Sequence, residues 1–202
     1  MTDRLNLMRA SDVSGLPVVT IDGGEDAAEI KDVVYDGAHH HLIGFTLNKR
    51  GWFRGSMKAT LDVANVRGIG ADAVMVPGED CMTEQGGGSP SLADSSSDVD
   101  VMGNDVVTSS GSVIGKIVDV IIETGDQPAA VGYEVMTDSG SVFVPSSAQM
   151  SLSGDNLVVP AEAEEFTRND LVGFGAAVAS FRDNLRGGSS TGHVDQNSEA
   201  GR

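Results

Sequence analysis

The stretch Glu29-Ile30-Lys31-Asp32-Val33-Val34-Tyr35-Asp36, followed by a turn and Leu42-Ile43-Gly44-Phe45-Thr46-Leu47, decides how this chain is read, because it occurs twice. The second copy is Lys116-Ile117-Val118-Asp119-Val120-Ile121-Ile122-Glu123, a turn, and Ala130-Val131-Gly132-Tyr133-Glu134-Val135. Ile30 matches Ile117, Asp32 matches Asp119, Asp36 matches Glu123, and Gly44-Phe45 matches Gly132-Tyr133. A β-branched run, a turn and a second apolar run form the pattern of a β-hairpin. Two copies of it make two related small β modules.

Around the first hairpin, Leu16-Pro17-Val18-Val19-Thr20-Ile21 reads as a strand with Pro17 near its start, where a missing N–H is tolerated. Leu5 to Met8 reads as a short strand or entry arm, and Ala10 to Gly15 as a turn. Ala59 to Val66 reads as a strand, and Ile69-Gly70-Ala71-Asp72 turns into a closing strand at Ala73-Val74-Met75-Val76-Pro77. The second copy ends alike, with Ser153-Gly154-Asp155-Asn156 leading to Leu157-Val158-Val159-Pro160. Short strands at this spacing, punctuated by turns, predict a small barrel or sandwich in each half.

Between the halves, residues 78–98 hold Glu79, Asp80, Glu84, Asp94 and Asp98 without Lys or Arg, together with Gly86-Gly87-Gly88-Ser89-Pro90 and Ser95-Ser96-Ser97. Such a composition buries too little apolar surface to offset its ordering entropy, which predicts a flexible acidic linker. After the second module, Leu171, Phe174, Val178, Phe181 and Leu185 share one helical face. They predict an amphipathic helix over residues 166–186, with Thr167 and Asp170 as a capping pair. Residues 187–202 are polar and read as a disordered tail. The fold class expected is therefore mainly β: two small antiparallel β-barrels, over residues 5–77 and 99–160, joined by the linker and followed by one helix.

The hairpins and the closing Ile69-Gly70-Ala71-Asp72-Ala73-Val74-Met75-Val76 resemble the PRC-barrel family. So do Gly115-Lys116-Ile117-Val118-Asp119-Val120 and Val131-Gly132-Tyr133-Glu134-Val135. Family members fold as small, mostly antiparallel β-barrels. They occur in the cytoplasmic domain of the photosynthetic reaction-centre H subunit and as the C-terminal domain of a small-subunit rRNA-processing factor. The resemblance implies protein–protein contact and carries over no catalytic motif. It points to a non-enzymatic adaptor. The alternatives are an accessory factor in ribosome maturation that docks on a ribosomal protein, and an H-subunit-like assembly role.

Composition narrows these readings. The 202 residues carry a formal net charge of −17, which argues against general nucleic-acid binding and against docking on anionic lipid. The charge serves solubility. Cys81 is the one cysteine, so no disulfide forms within the chain, and a reducing cytoplasm is the expected location. The N-terminus, Met1-Thr2-Asp3-Arg4-Leu5, shows no secretory h-region. No apolar run reaches the length of a transmembrane span.

Lys49, Arg50, Arg54 and Lys58 form a basic cluster around Trp52 and Phe53. Arg and aromatic residues together are common interface anchors, so this loop is a candidate contact for an acidic partner, or locally for RNA. The competing reading places the aromatics over a barrel end and pairs the bases with the chain's own acids. Leu171, Phe174, Val178, Phe181 and Leu185 are the second candidate contact, either docked on the second module or offered to another chain, including a second copy, or to a membrane surface.

His39-His40-His41 is not expected to hold a metal, because consecutive residues in an extended chain point to opposite sides. Asp32 and Asp119 sit inside apolar runs, where acid–base work and a repeated structural hydrogen bond compete, and the second is favoured. Cys81 has no neighbouring base to lower its pKa. No catalytic residue, cofactor or metal is expected.

Overall fold

A computed structural model of the chain describes residues 5–36, 41–49, 56–84, 101–147 and 149–188. Nearly all the regular structure is β, in two seven-stranded sheets with one helix packed at the end of the chain.

The first sheet holds β2 (Pro17–Thr20), β3 (Asp26–Tyr35), β4 (Leu42–Asn48), β5 (Ser56–Asp62), β6 (Gly68–Ile69), β7 (Val74–Val76) and β8 (Met82–Glu84). They lie in the order β6-β7-β2-β3-β4-β5-β8. The second holds β9 (Asp105–Thr108), β10 (Val113–Thr124), β11 (Ala129–Thr137), β12 (Gly140–Pro145), β13 (Ser151–Ser153) and β14 (Asn156–Val159), in the order β12-β11-β10-β9-β14-β13. Its seventh strand is β1 (Asn6–Arg9), from the start of the chain, which pairs antiparallel with the far end of β10.

The repeat holds at the level of single hydrogen bonds. Gly15 N–H donates to the Ile30 carbonyl, and Gly103 N–H to the Ile117 carbonyl, both at 2.8 Å. Both glycines have positive φ, at 89° and 81°, a conformation that L side chains rarely adopt. Thr20 Oγ1 accepts from Glu25 N–H, as Thr108 Oγ1 does from Ser112 N–H. The long strands carry bulges at matching places, between Ile30 and Asp32 and between Ile117 and Asp119, and again at Val34/Tyr35 and Ile121/Ile122. A bulge bends its strand and changes which side a residue faces.

Four expectations are corrected. The pairing is not antiparallel throughout, because β7 runs parallel to β2 and β14 parallel to β9. In the first module the 3-10 turn Val63–Asn65, capped by the Asp62 carboxylate accepting from Ala64 N–H, links β5 to β6. The supposed linker starts late: Glu79–Cys81 form a 3-10 turn, Met82–Glu84 pair with β5, and Cys81 and Met82 pack on the first core. Those two side chains supply the apolar surface that the surrounding acids lack, while residues 85–98 lie outside the described residues. The helix is α2 (Leu171–Gly188), set off from the second sheet by a 3-10 turn at Ala161–Phe166. Asp170, not Thr167, caps it, since the Asp170 carboxylate accepts from Gly173 N–H and the Thr167 hydroxyl donates to the Ala163 carbonyl. Finally, the first residues are not part of the first sheet. Their β1 crosses to the second, followed by one helical turn, α1 (Ala10–Val13).

The packing shows why. Strand burial alternates in β9 and β14, as expected for a sheet with one face on a core. In β10, however, Val120, Ile121 and Ile122 are all buried. Val120 lies in the second core, Ile121 under α2 with Val131, Phe143, Phe174 and Val178, and Ile122 in the core of the first module. Tyr35, the counterpart of Ile122, packs against both cores. The modules therefore share apolar side chains through their long hairpin strands.

Candidate functional site

The two acids singled out by the repeat have different surroundings. Asp32 is exposed, with 61% of its side chain open to solvent; it sits 2.8 Å from Lys31 Nζ and accepts from the Thr46 hydroxyl across the hairpin. Asp119 is buried. Its carboxylate accepts from Val120 N–H at 2.8 Å, from Ser11 N–H at 3.3 Å and from the Ser11 hydroxyl.

The difference traces to the residue opposite. Asp32 pairs with Thr46, a hydrogen-bond partner, whereas Asp119 pairs with Glu134, a second acid. Like charges directly across a strand pair repel. The N-terminal arm resolves this. Ser11 binds Asp119, while Arg9 Nε lies 2.5 Å from Glu134 Oε2 and its Nη2 lies 3.2 Å from Oε1. Ser141 also donates to Glu134, and the guanidinium lies over the Phe143 ring, 5.6 Å from its centroid. Arg9 holds the Glu134 carboxyl below the ordinary carboxylate range despite its burial.

Beside this junction the Tyr35 hydroxyl is buried without a hydrogen-bond partner. Burial pushes its phenol well above the usual tyrosine value, and the charge on Asp119 adds to the effect. Burial alone raises Tyr133 in the same direction.

The helical candidates face inward. Phe174, Val178 and Phe181 are buried, Leu171 packs against the cluster that holds the first two, and Leu185 against the core of the second module. The apolar stripe of α2 is thus used inside its own chain, the first of the two readings that the sequence left open. Gly132 is essential to that packing: a Cβ there would lie 2.4 Å from the Val144 carbonyl oxygen and 2.5 Å from Phe174 Cζ. Arg182 reaches Glu123 at 3.2 Å and ties the helix to β10.

Of the basic loop, Lys49 is exposed at the end of β4 and Lys58 falls within β5. Arg50, Trp52, Phe53 and Arg54 lie outside the described residues, as do His39 and His40. Cys81 is partly exposed and its Sγ lies 4.0 Å from Asp80 Oδ1. Among the described residues no group of His, Cys, Asp or Glu is arranged to hold a metal ion, and no helix is long and apolar enough to cross a membrane.

The residues that sequence reasoning missed are Arg9 and Ser11. The sign of them was available: Thr46 is replaced by Glu134 in the second copy, which sets two acids side by side and calls for a distant donor.

Sheet, bulge and junction define a tandem pair of β modules that share strands and core residues. The chain belongs to the PRC-barrel domain family, whose model matches residues 5–80 and again residues 93–173. No curated protein matches it.

Proposed function

We propose that this tandem PRC-barrel chain is a non-enzymatic adaptor that holds protein partners in the cytoplasm. The observation that carries the reading is the state of its two repeated carboxylates. Asp32 is engaged by Thr46 and Lys31, and Asp119 by Ser11 and its own neighbour's N–H, so both serve the fold. What the duplicated module then offers is surface, consistent with the family's use as an interaction module. The basic and aromatic loop from Lys49 to Lys58 belongs to the proposal as one contact element. A role in ribosome maturation would run through a ribosomal protein, since the net charge of −17 opposes direct binding to RNA.

The test is crosslinked capture from the native cell, with the full chain and a Trp52→Ala/Arg54→Ala variant. A reproducible protein partner supports the adaptor reading, and its loss in the variant assigns the loop. Failure of the full chain to recover any protein above a scrambled control removes the reading. Truncation at Pro160 is a poor probe, because it would strip α2 from Ile121, Val131 and Phe143.

A further inference from the structure

The outer face of the second sheet is covered for only part of its area. The α2 helix lies over Gly132, Ile121 and Phe143, and the arm lies over Asp119 and Glu134. Further along β10 the cover ends. There the register places Met136 beside Lys116 and Lys116 beside Asp105 in one row. The next row is Val113, Val107 and Val158. Val113 is 67% exposed and Met136 48%. The inward neighbours Val106, Leu157 and Val159 fill the core instead.

Single exposed apolar residues are ordinary on a protein surface, but contiguous ones are not. The first module supplies an internal control. At the positions of Val113 and Met136 it has Asp26 and Asn48, and at the position of the exposed Val118 it has Lys31. The exposed positions are thus polar in the first copy and apolar in the second, whereas Val107 and Val158 have the apolar counterparts Val19 and Met75.

The charge around this face limits its occupant. Asp105, Asp138 and Asp155 stand at this end of the sheet, and Lys116, paired with Asp105 at 2.8 Å, is the cation of the row. With a net charge of −17, a second copy would be repelled. We infer that the Val113–Val107–Val158 row and Met136 dock a segment of another protein that presents apolar side chains flanked by lysine or arginine. This rests on the adaptor reading and specifies the partner's chemistry.

The test uses three synthetic peptides of equal length: alternating Leu and Lys, alternating Ser and Lys, and alternating Leu and Glu. Each is titrated by fluorescence anisotropy against the full chain and against Val113→Asp/Met136→Asn, which installs the residues of the first module. The Leu/Lys peptide is expected to bind at least tenfold more tightly than the other two, and to lose at least tenfold in affinity on the double variant, with an unchanged thermal midpoint. In the unaltered protein the same titration should shift the methyl resonance of Met136 and leave that of Met75, on the first module, in place. Equal binding by both proteins, or equal binding of the Ser/Lys peptide, overturns the inference. So does a dimer in sedimentation that the double variant disperses, since the face would then belong to a second copy. Binding of neutral phosphatidylcholine vesicles lost in the double variant would overturn it in favour of a lipid surface. If capture from cells succeeds equally with both proteins, the adaptor reading stands and this face is not its site.

Discussion

Arg9 and Glu134 stand 125 positions apart in the chain and form a two-pronged ion pair in which Arg9 Nε lies 2.5 Å from the carboxylate. The Glu134 side chain is 12% exposed and the Arg9 side chain 36%, so the pair is only partly shielded from solvent. Its carboxyl is held below the ordinary range, so its contribution is present above that range and is lost as pH falls through the depressed value. Replacing Glu134 by Gln should cost about 1 kcal/mol near neutrality and flatten the acid side of the stability curve. Urea midpoints measured across acid pH check it; a variant with an acid limb as steep as the parent's would show that the pair does not couple to folding.

The duplicated acids should respond differently. Asp32→Asn, at an exposed site, is expected to change stability by less than about 0.5 kcal/mol. Ser11→Ala removes a hydroxyl that donates to a buried carboxylate and should cost about 1–3 kcal/mol. Parallel denaturant titrations of the two variants decide it, and equal effects would contradict the assignment of Asp119 as the seat of the arm.

Two glycines at the helix interface should differ as well. Gly132→Ala would place a Cβ against backbone and the Phe174 ring and is expected to destabilise by about 1–3 kcal/mol. Gly175→Ala meets only Leu7 and Leu5 at ordinary distances, 3.6 Å and more, and should raise stability by up to about 1 kcal/mol through helix propensity. Thermal melts of both variants make the comparison.

The chain has two tyrosines, Tyr35 and Tyr133, and burial raises both phenols above their usual value. A raised folded value means that the stability each contributes is intact below the ordinary tyrosine pKa and is lost as pH rises past it. Tyrosinate absorbance should therefore appear together with unfolding and not before it. Tyr35→Phe, which removes a buried hydroxyl that has no partner, is expected to leave stability unchanged within about 0.5 kcal/mol or to raise it, while blunting the alkaline loss. Tyrosinate absorbance developing in a chain still folded by circular dichroism would refute the burial account.

The repeat was legible because Ile30 and Ile117, or Gly44 and Gly132, solve the same local problem in the same way. Periodicity also found the buried face of the helix, although not its owner: Phe174, Val178 and Phe181 read equally well as a stripe for another chain. What stayed hidden was non-local. Nothing near Leu5-Asn6-Leu7-Met8-Arg9 says that it pairs with residues beyond position 120, since strand pairing leaves no mark in local spacing. The order of two parallel neighbours in each sheet was hidden for the same reason. The edge strand Met82–Glu84 was masked by acidic neighbours, because average composition outweighed two apolar side chains. In the candidate surface, nothing in local spacing says that Val113 and Met136 face outward; their exposure follows from the register.

The crossing of β1 also has a consequence for how the protein is made. Residues 6–9 leave the ribosome before the rest of the two modules, and their partners at Ile121–Thr124 emerge more than a hundred residues later. The first module likewise lacks Ile122 from its core until then. Nascent chains shorter than this hold an unpaired strand and an unfilled core, the kind of exposed edge that invites association with other chains. The pairing of β1 with β10 thus needs a loop closure over more than a hundred residues, which by contact order makes it slow. In a chain permuted to place Leu5–Gly15 after α2, β1 would follow its partner strand and no longer wait unpaired, while the first module would still await Ile122 to fill its core.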